Sequence, residues 1–171
     1  MMVYKILLAA LALIRAGGLP TPFQIVQMES GPDTKIVGAR AELVQDPQRW
    51  RQVWADHREV VLDGPGAPIL DLPRVDFAKH TVLVLAPGLR QGVEGYRFLD
   101  ADETKEMVRI RFAPVFSSGP VFNAGSSPYV FAILPRMNRR LEVHMDLRGS
   151  PRQEAVWTRV GTFEKTLESR D

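Results

Sequence analysis

The 171-residue chain contains 45% apolar and 25% charged residues, 22 basic against 20 acidic side chains, and no cysteine. This composition is typical of a folded domain, and it excludes a long disordered segment, a collagen-like fibre and a disulfide-stapled miniprotein. Without cysteine the chain has no thiol nucleophile, no thiolate metal site and no residue for lipid attachment at a lipobox. The length suits one domain with a short extension.

Residues 1–18 predict a secretory signal peptide. Lys5 precedes an apolar run over residues 6–14, and small residues follow Arg15. The run is shorter than the roughly 20 apolar residues that cross a bilayer, so we predict no stable membrane span. The alternative interpretation is a first helix of a cytosolic domain. Cleavage would remove two cations, Lys5 and Arg15, and take the net charge from +2 to zero. A balanced chain argues against nucleic-acid binding, because a protein that binds a phosphate backbone carries a surplus of cations on its binding face.

After a spacer at residues 19–22, residues 23–163 predict a single β-rich domain, followed by a polar tail at residues 164–171. Residues 81–86 are almost continuously apolar, which is typical of a central strand covered on both faces. Residues 107–112 alternate, with two arginines on the face opposite the core. Strands are predicted at residues 23–28, 35–44, 81–86, 96–100, 107–112, 129–134, 141–147 and 155–163.

One amphipathic helix is predicted to begin after Asp46, a good N-cap residue, with Pro47 at its first position. Its apolar stripe must pack on one side of a sheet; the stripe consists of Trp50, Val53, Trp54 and His57. The gaps between strands are too short or too rich in proline and glycine for βαβ units. The predicted fold class is therefore mainly β (α+β), an antiparallel β-sandwich or a strongly curved sheet with one amphipathic helix packed on it.

The sequence contains no recognisable catalytic motif, so we predict no catalytic residue, no metal ligand and no cofactor. His57, His80 and His144 are the candidates for a metal-dependent or small-molecule-binding function, and for His57 a structural role at the end of the helix is favoured. His144 lies between Glu142 and Asp146 on one strand face. That row either binds a hard cation or forms the solvated face of an edge strand, which is the favoured interpretation.

Several short motifs follow one another in a familiar order. They are Trp50-x-x-x-Trp54, Leu72-Pro73-x-Val75-Asp76-Phe77, the run 81–85, Gly88, Gly95-Tyr96, Pro114, Ser127-Pro128-Tyr129 and Leu134-Pro135-Arg136. Over residues 46–136 the chain resembles the PrcB C-terminal-domain family, named for a subunit of a secreted bacterial protease complex. Where that family commonly has Thr-Gly-Gly-Tyr, this chain reads Val93-Glu94-Gly95-Tyr96.

The resemblance implies a non-enzymatic exported protein-interaction domain, one that binds or stabilises a secreted protease. We expect the partner to contact the loops at residues 88–95 and 115–127, because loops on a rigid β framework commonly carry binding. The candidate partner-binding residues are Arg90, Gln91, Glu94, Gly95 and Tyr96. For Tyr96 the alternative is a ring at the edge of the core, and for the whole chain the alternatives are the histidine-based function above and a purely structural envelope protein.

Overall fold

The computed structural model describes residues 22–62, 71–118 and 125–164, so the predicted signal peptide and most of the polar tail lie outside the described residues. Two four-stranded sheets and one helix make up the fold. The predicted mainly β class with one helix packed on a sheet is confirmed. The elements are β1 (Gln27–Gly31), β2 (Arg40–Val44), α1 (Pro47–Arg58), β3 (His80–Ala86), β4 (Val93–Glu103), β5 (Met107–Phe116), β6 (Tyr129–Pro135), β7 (Arg140–Asp146) and β8 (Trp157–Phe163).

The first sheet has the strand order β1-β6-β3-β2 and is antiparallel throughout. The second sheet has the order β4-β5-β7-β8, and its central pair, β5 and β7, is parallel. The chain leaves the second sheet after β5, reverses direction in β6 of the first sheet, and returns in β7 in its original direction. A wholly antiparallel sandwich was expected, and this one parallel pair differs from it because β6 belongs to the other sheet.

Two apolar clusters lie on either side of the first sheet. Leu83 and Leu85 of β3 join the cluster between the two sheets, whereas Val82 and Val84 join the cluster beneath the helix. All four side chains are at most 1% exposed, because β3 is an interior strand with apolar layers on both faces. The prediction of a central, doubly covered strand at residues 81–86 is confirmed.

The helix α1 begins as its sequence indicates. The side chain of Asp46 accepts a hydrogen bond of 2.8 Å from the backbone N–H of Arg49, which satisfies one of the unpaired donors of the first turn. Glu59 follows the last turn in the left-handed conformation. The predicted stripe faces the first sheet, and the indole N–H of Trp50 donates to the carbonyl of Pro73 at 3.0 Å.

The first two strands begin later than predicted. Ser30 and Gly31, which lie beyond the end of the strand predicted at residues 23–28, belong to β1 and pair with Val130 and Tyr129 of β6. The second strand begins at Arg40 rather than residue 35 because Gly38 has a φ of 79°, which interrupts the extended chain. Within residues 22–62, 71–118 and 125–164, no helix is long and apolar enough to cross a membrane.

Candidate functional site

The outer face of the second sheet carries a surface that we call the arginine face. Its residues alternate with core residues along β4, β5, β7 and β8, so their side chains lie on the side opposite the core. The helix packs on the other sheet, and the side chains of Arg140, Arg159 and Trp157 on this face are exposed. The arginine face consists of Arg97, Arg109, Arg111, Arg140, Arg159 and Trp157.

Glu142 lies at the centre of the arginine face with 9% of its side chain exposed. Its carboxylate is 3.3 Å from Arg109, 3.6 Å from Arg140 and 4.0 Å from Arg159, and the ring of His144 lies 3.7 Å away. Burial opposes ionisation, but the hydrogen bond from Arg109 and the surrounding positive charges outweigh it and lower the pKa of Glu142. One negatively charged carboxylate therefore lies among three positively charged guanidinium groups, which leaves a local excess of positive charge.

Arg111 connects the acidic side chains of β4 to the tryptophan of β8. Its guanidinium contacts both carboxylate oxygens of Asp100, at 2.6 and 2.8 Å, and lies 3.7 Å from Asp102. The hydrogen bond with Asp100 raises the pKa of Arg111. The same guanidinium lies 5.8 Å from the ring centre of Trp157, which is 39% exposed. The face thus combines a half-exposed indole with arginines held in position by carboxylates.

The row of polar residues on β7 is not the solvated face of an edge strand. That interpretation is wrong because β7 lies between β5 and β8, and Glu142 and Asp146 are only 7% and 0% exposed. Asp146 accepts backbone hydrogen bonds from Arg148 at 3.1 Å and Val156 at 2.9 Å. The carboxylates of the row are engaged by arginines and backbone donors, and the described residues contain no group of three His, Asp or Glu placed to hold a metal ion.

The three histidines do not form one site. His57 lies on α1 over the outer face of the first sheet, whereas His144 lies on the outer face of the second sheet, so the whole sandwich separates them. His80 begins β3. His57 is 5% exposed, and its Nδ1 lies 2.9 Å from the hydroxyl of Thr34. Burial, with a smaller contribution from Arg58, lowers the pKa of His57 from 6.5 to about 4, which agrees with the favoured structural role.

The two loops expected to bind a partner do lie at the same end of the sandwich. Arg90 and Ser126 exchange backbone hydrogen bonds of 2.8 and 2.7 Å, and the N–H of Ser117 donates to the carbonyl of Gly92 at 2.9 Å. Residues 119–124 of the second loop lie outside the described residues. Of the candidates, Gln91 and Glu94 are exposed, and Arg90 is half-buried.

The other two candidates at this loop, Gly95 and Tyr96, are buried. Tyr96 is 2% exposed and packs in the core between the sheets. Its ring is therefore a core ring, as in the alternative interpretation, and is not available to a partner. Its N–H donates to the hydroxyl oxygen of Ser30 at 2.8 Å, and that hydroxyl donates to the carbonyl of Tyr129 at 2.6 Å. Gly95 and Tyr96 therefore anchor the end of the loop to the first sheet through Ser30. Of the predicted partner-binding residues, only Arg90, Gln91 and Glu94 remain as candidate contacts there.

We expect Gly95→Ala to destabilise the fold by about 2 kcal/mol or more, because it combines backbone strain with a steric clash. Gly95 has a φ of 151°, and an added Cβ would lie 2.8 Å from the Ser30 hydroxyl oxygen, which two hydrogen bonds hold in place. Chemical unfolding measures the effect. The matched control is Gly38→Ala, whose φ of 79° is also unfavourable but whose Cβ meets nothing within 4 Å; equal losses for both variants would contradict the steric argument.

A cleft of about 150 Å³ opens at the opposite end of the sandwich from these loops. Leu43, Leu141 and Phe163 form its apolar part, and Gln45 and Arg136 are among its polar residues. Pockets that enclose drug-sized ligands usually measure about 300 Å³ or more. The cleft is therefore a weaker candidate for function than the arginine face.

The chain matches no family model, no curated protein and no solved structure. The resemblance to the PrcB C-terminal-domain family thus stays a prediction, and function is inferred from the surfaces described above.

Proposed function

We propose that this chain is an exported protein-interaction domain that performs no reaction itself and binds a protein partner through the arginine face. The supporting observation is the half-exposed ring of Trp157 set among arginines on a rigid sheet. Tryptophan and arginine are enriched among the residues that carry most of the binding energy at protein interfaces. A backbone held in a sheet also has little conformational entropy of its own left to lose on binding.

Two features of the sequence define the setting of this proposal. The segment at residues 1–18 supports export, and the resemblance over residues 46–136 makes a secreted protease the first partner to test. The exposed side chains of Gln91 and Glu94 form a second, smaller candidate contact at the loop end. They are separate from the arginine face, so variants at the two surfaces can be compared directly.

Affinity capture tests the proposal. Residues 19–171 are immobilised, incubated with the exported proteins of the source organism, and the retained proteins are quantified by mass spectrometry. A genuine partner is expected to be recovered at least about tenfold less on a Trp157→Ala/Arg159→Ala variant, because both substitutions remove contact groups of the face. Loss of recovery on a Gln91→Ala/Glu94→Ala variant would instead place the contact at the loop end.

The control variant is Arg74→Ala. Arg74 is exposed and follows Pro73, the residue that accepts the hydrogen bond from Trp50 of the helix, so it lies on the side covered by α1. Recovery on this variant should equal that on the unmodified chain. The proposal fails if every retained protein binds all variants equally.

A further inference from the structure

We infer that the arginine face recognises an acidic segment of its protein partner, through carboxylates that bind the guanidinium groups. This inference rests on the proposed function and names the chemistry of the partner. The outer side of these strands carries five arginines and four carboxylates, those of Asp100, Asp102, Glu142 and Asp146, and Asp146 is already paired with a sixth arginine, Arg148, at 2.7 Å. The formal excess of positive charge is complementary to a negatively charged surface.

Three of the arginines retain binding capacity beyond their contacts within the chain. Arg97 takes part in none of the ion pairs formed among the described residues. Arg140 and Arg159 approach Glu142 only to 3.6 and 4.0 Å, with 47% and 61% of their side chains exposed. A guanidinium group presents several N–H donors in a planar fork that matches a carboxylate. Carboxylates of a partner can therefore bind these groups from the solvent side.

Glu142 holds part of the face in place before a partner arrives. It is buried beneath Arg109, Arg140 and Arg159, and its negative charge offsets the mutual repulsion of the three cations. Side chains held in position lose less rotational freedom on binding than free ones. Its single charge cannot balance all three, so the site favours a further anion.

The pattern of charges favours a protein segment over a nucleic acid. Asp100 and Asp102 lie beside Arg111, with 42% and 60% of their side chains exposed, and would repel a continuous row of phosphates. A protein segment can place neutral or basic residues opposite those carboxylates. The chain also carries a net charge of only +2, whereas binding to phosphate backbones relies on a large surplus of cations.

Fluorescence quenching of the isolated chain tests the inference directly. Trp50 and Trp54 are 2% and 1% exposed, whereas Trp157 is 39% exposed, so a neutral quencher such as acrylamide reports mainly on Trp157. The probe is a synthetic peptide rich in glutamate and aspartate, titrated to millimolar concentration at low salt. We expect the peptide to protect Trp157 from quenching, and the protection to fall as salt is added.

Charge reversal locates the binding site. We expect Arg140→Glu/Arg159→Glu to lower the affinity for the acidic peptide at least about tenfold, because two attractive contacts become repulsive. That variant removes two cations from Glu142, so the single variant Arg97→Glu, whose residue has no ion pair among the described residues, provides a test without disturbing the cluster. Arg74→Glu, on the side of the helix, is the matched control and should bind the peptide unchanged.

Three results would overturn the inference. The first is an absence of protection by the acidic peptide at low salt, and the second is equal binding by Arg97→Glu, Arg74→Glu and the unmodified chain. The third is tighter binding of duplex DNA than of the peptide, which would assign the face to nucleic acid. If the peptide fails while a captured protein still depends on Trp157 and Arg159, the inference falls and the proposed function stands.

Discussion

Acidification from about pH 7 to about pH 4 is expected to remove up to about 3 kcal/mol of folding free energy through His57 alone. Its pKa is lowered from 6.5 to about 4 in the fold, first by burial and second by the charge of Arg58. Between those values the unfolded chain binds more protons than the folded chain. The contribution is therefore complete above about pH 6.5 and is lost as the pH falls toward the folded pKa.

The surroundings of His57 explain why the charged ring is disfavoured. The ring lies 4.4 Å from that of Tyr129 and 5.0 Å from that of Phe131, and 5.3 Å from Trp54, so three aromatic rings replace water around it. Its Nδ1 lies 2.9 Å from the hydroxyl of Thr34. A hydroxyl can hydrogen-bond to the neutral ring, but it supplies no negative charge to stabilise the imidazolium.

Urea unfolding at several values between about pH 7 and about pH 5 measures this dependence. We expect His57→Leu to lose most of the slope of free energy against pH in that range. Glu42, Glu103 and Glu142 also have lowered pKa values, but in the unfolded chain they are half protonated only at their ordinary value of 4.5, so they add a small part of the slope near pH 5 and add it equally in the variant. Identical slopes for His57→Leu and the unmodified chain would contradict the assignment.

The features that the sequence could predict are those fixed by neighbours along the chain. The helix at Pro47–Arg58 is an example, because its N-cap, its first-turn proline and its apolar stripe all lie within twelve consecutive positions. The burial of β3 on both faces follows from its continuous apolar run. Such signals require no knowledge of which strand pairs with which.

The arginine face could not be predicted because it depends on strand order. The alternation of β5 placed Arg109 and Arg111 on the outer side, but nothing local indicates that β7 lies beside β5. That pairing buries Glu142, and the pairing of β7 with β8 brings Arg159 within 4.0 Å of Glu142 and places Trp157 opposite Asp146. For the same reason β7 was interpreted as an edge strand: its own residues do not indicate that β5 and β8 pair with it on either side.

For Gly95-Tyr96 the sequence supported both a ring at the edge of the core and a partner contact, and it could not decide between them for a related reason. A polar, glycine-containing loop is usually exposed, which supported the partner contact at Tyr96. Its backbone is instead fixed by Ser30, 66 positions earlier in the chain, which joins β4 to the first sheet. A serine in an extended segment carries no local sign of such a contact.

The substitution Trp54→Ala is expected to cost about 4 kcal/mol of folding free energy, which is the usual range for a large aromatic side chain deleted from a core. Trp54 is 1% exposed, and its ring centre lies 5.4 Å from that of Trp50 and 5.6 Å from that of Phe131. Deleting it leaves a cavity between the helix and the first sheet that the β-ladder beneath cannot close. Urea unfolding at about neutral pH measures the loss.

Two conservative variants separate packing from hydrogen bonding at this site. Within the described residues the indole N–H of Trp54 has no hydrogen-bond partner, whereas that of Trp50 donates to Pro73 at 3.0 Å. Trp54→Phe keeps much of the ring volume and removes an unpaired buried donor, so it should cost less than Trp50→Phe, which leaves the Pro73 carbonyl without its donor. Trp157→Ala should change stability little because that ring is partly solvated. A loss for Trp54→Ala no larger than that for Trp157→Ala would show that the helix is not held by its tryptophans.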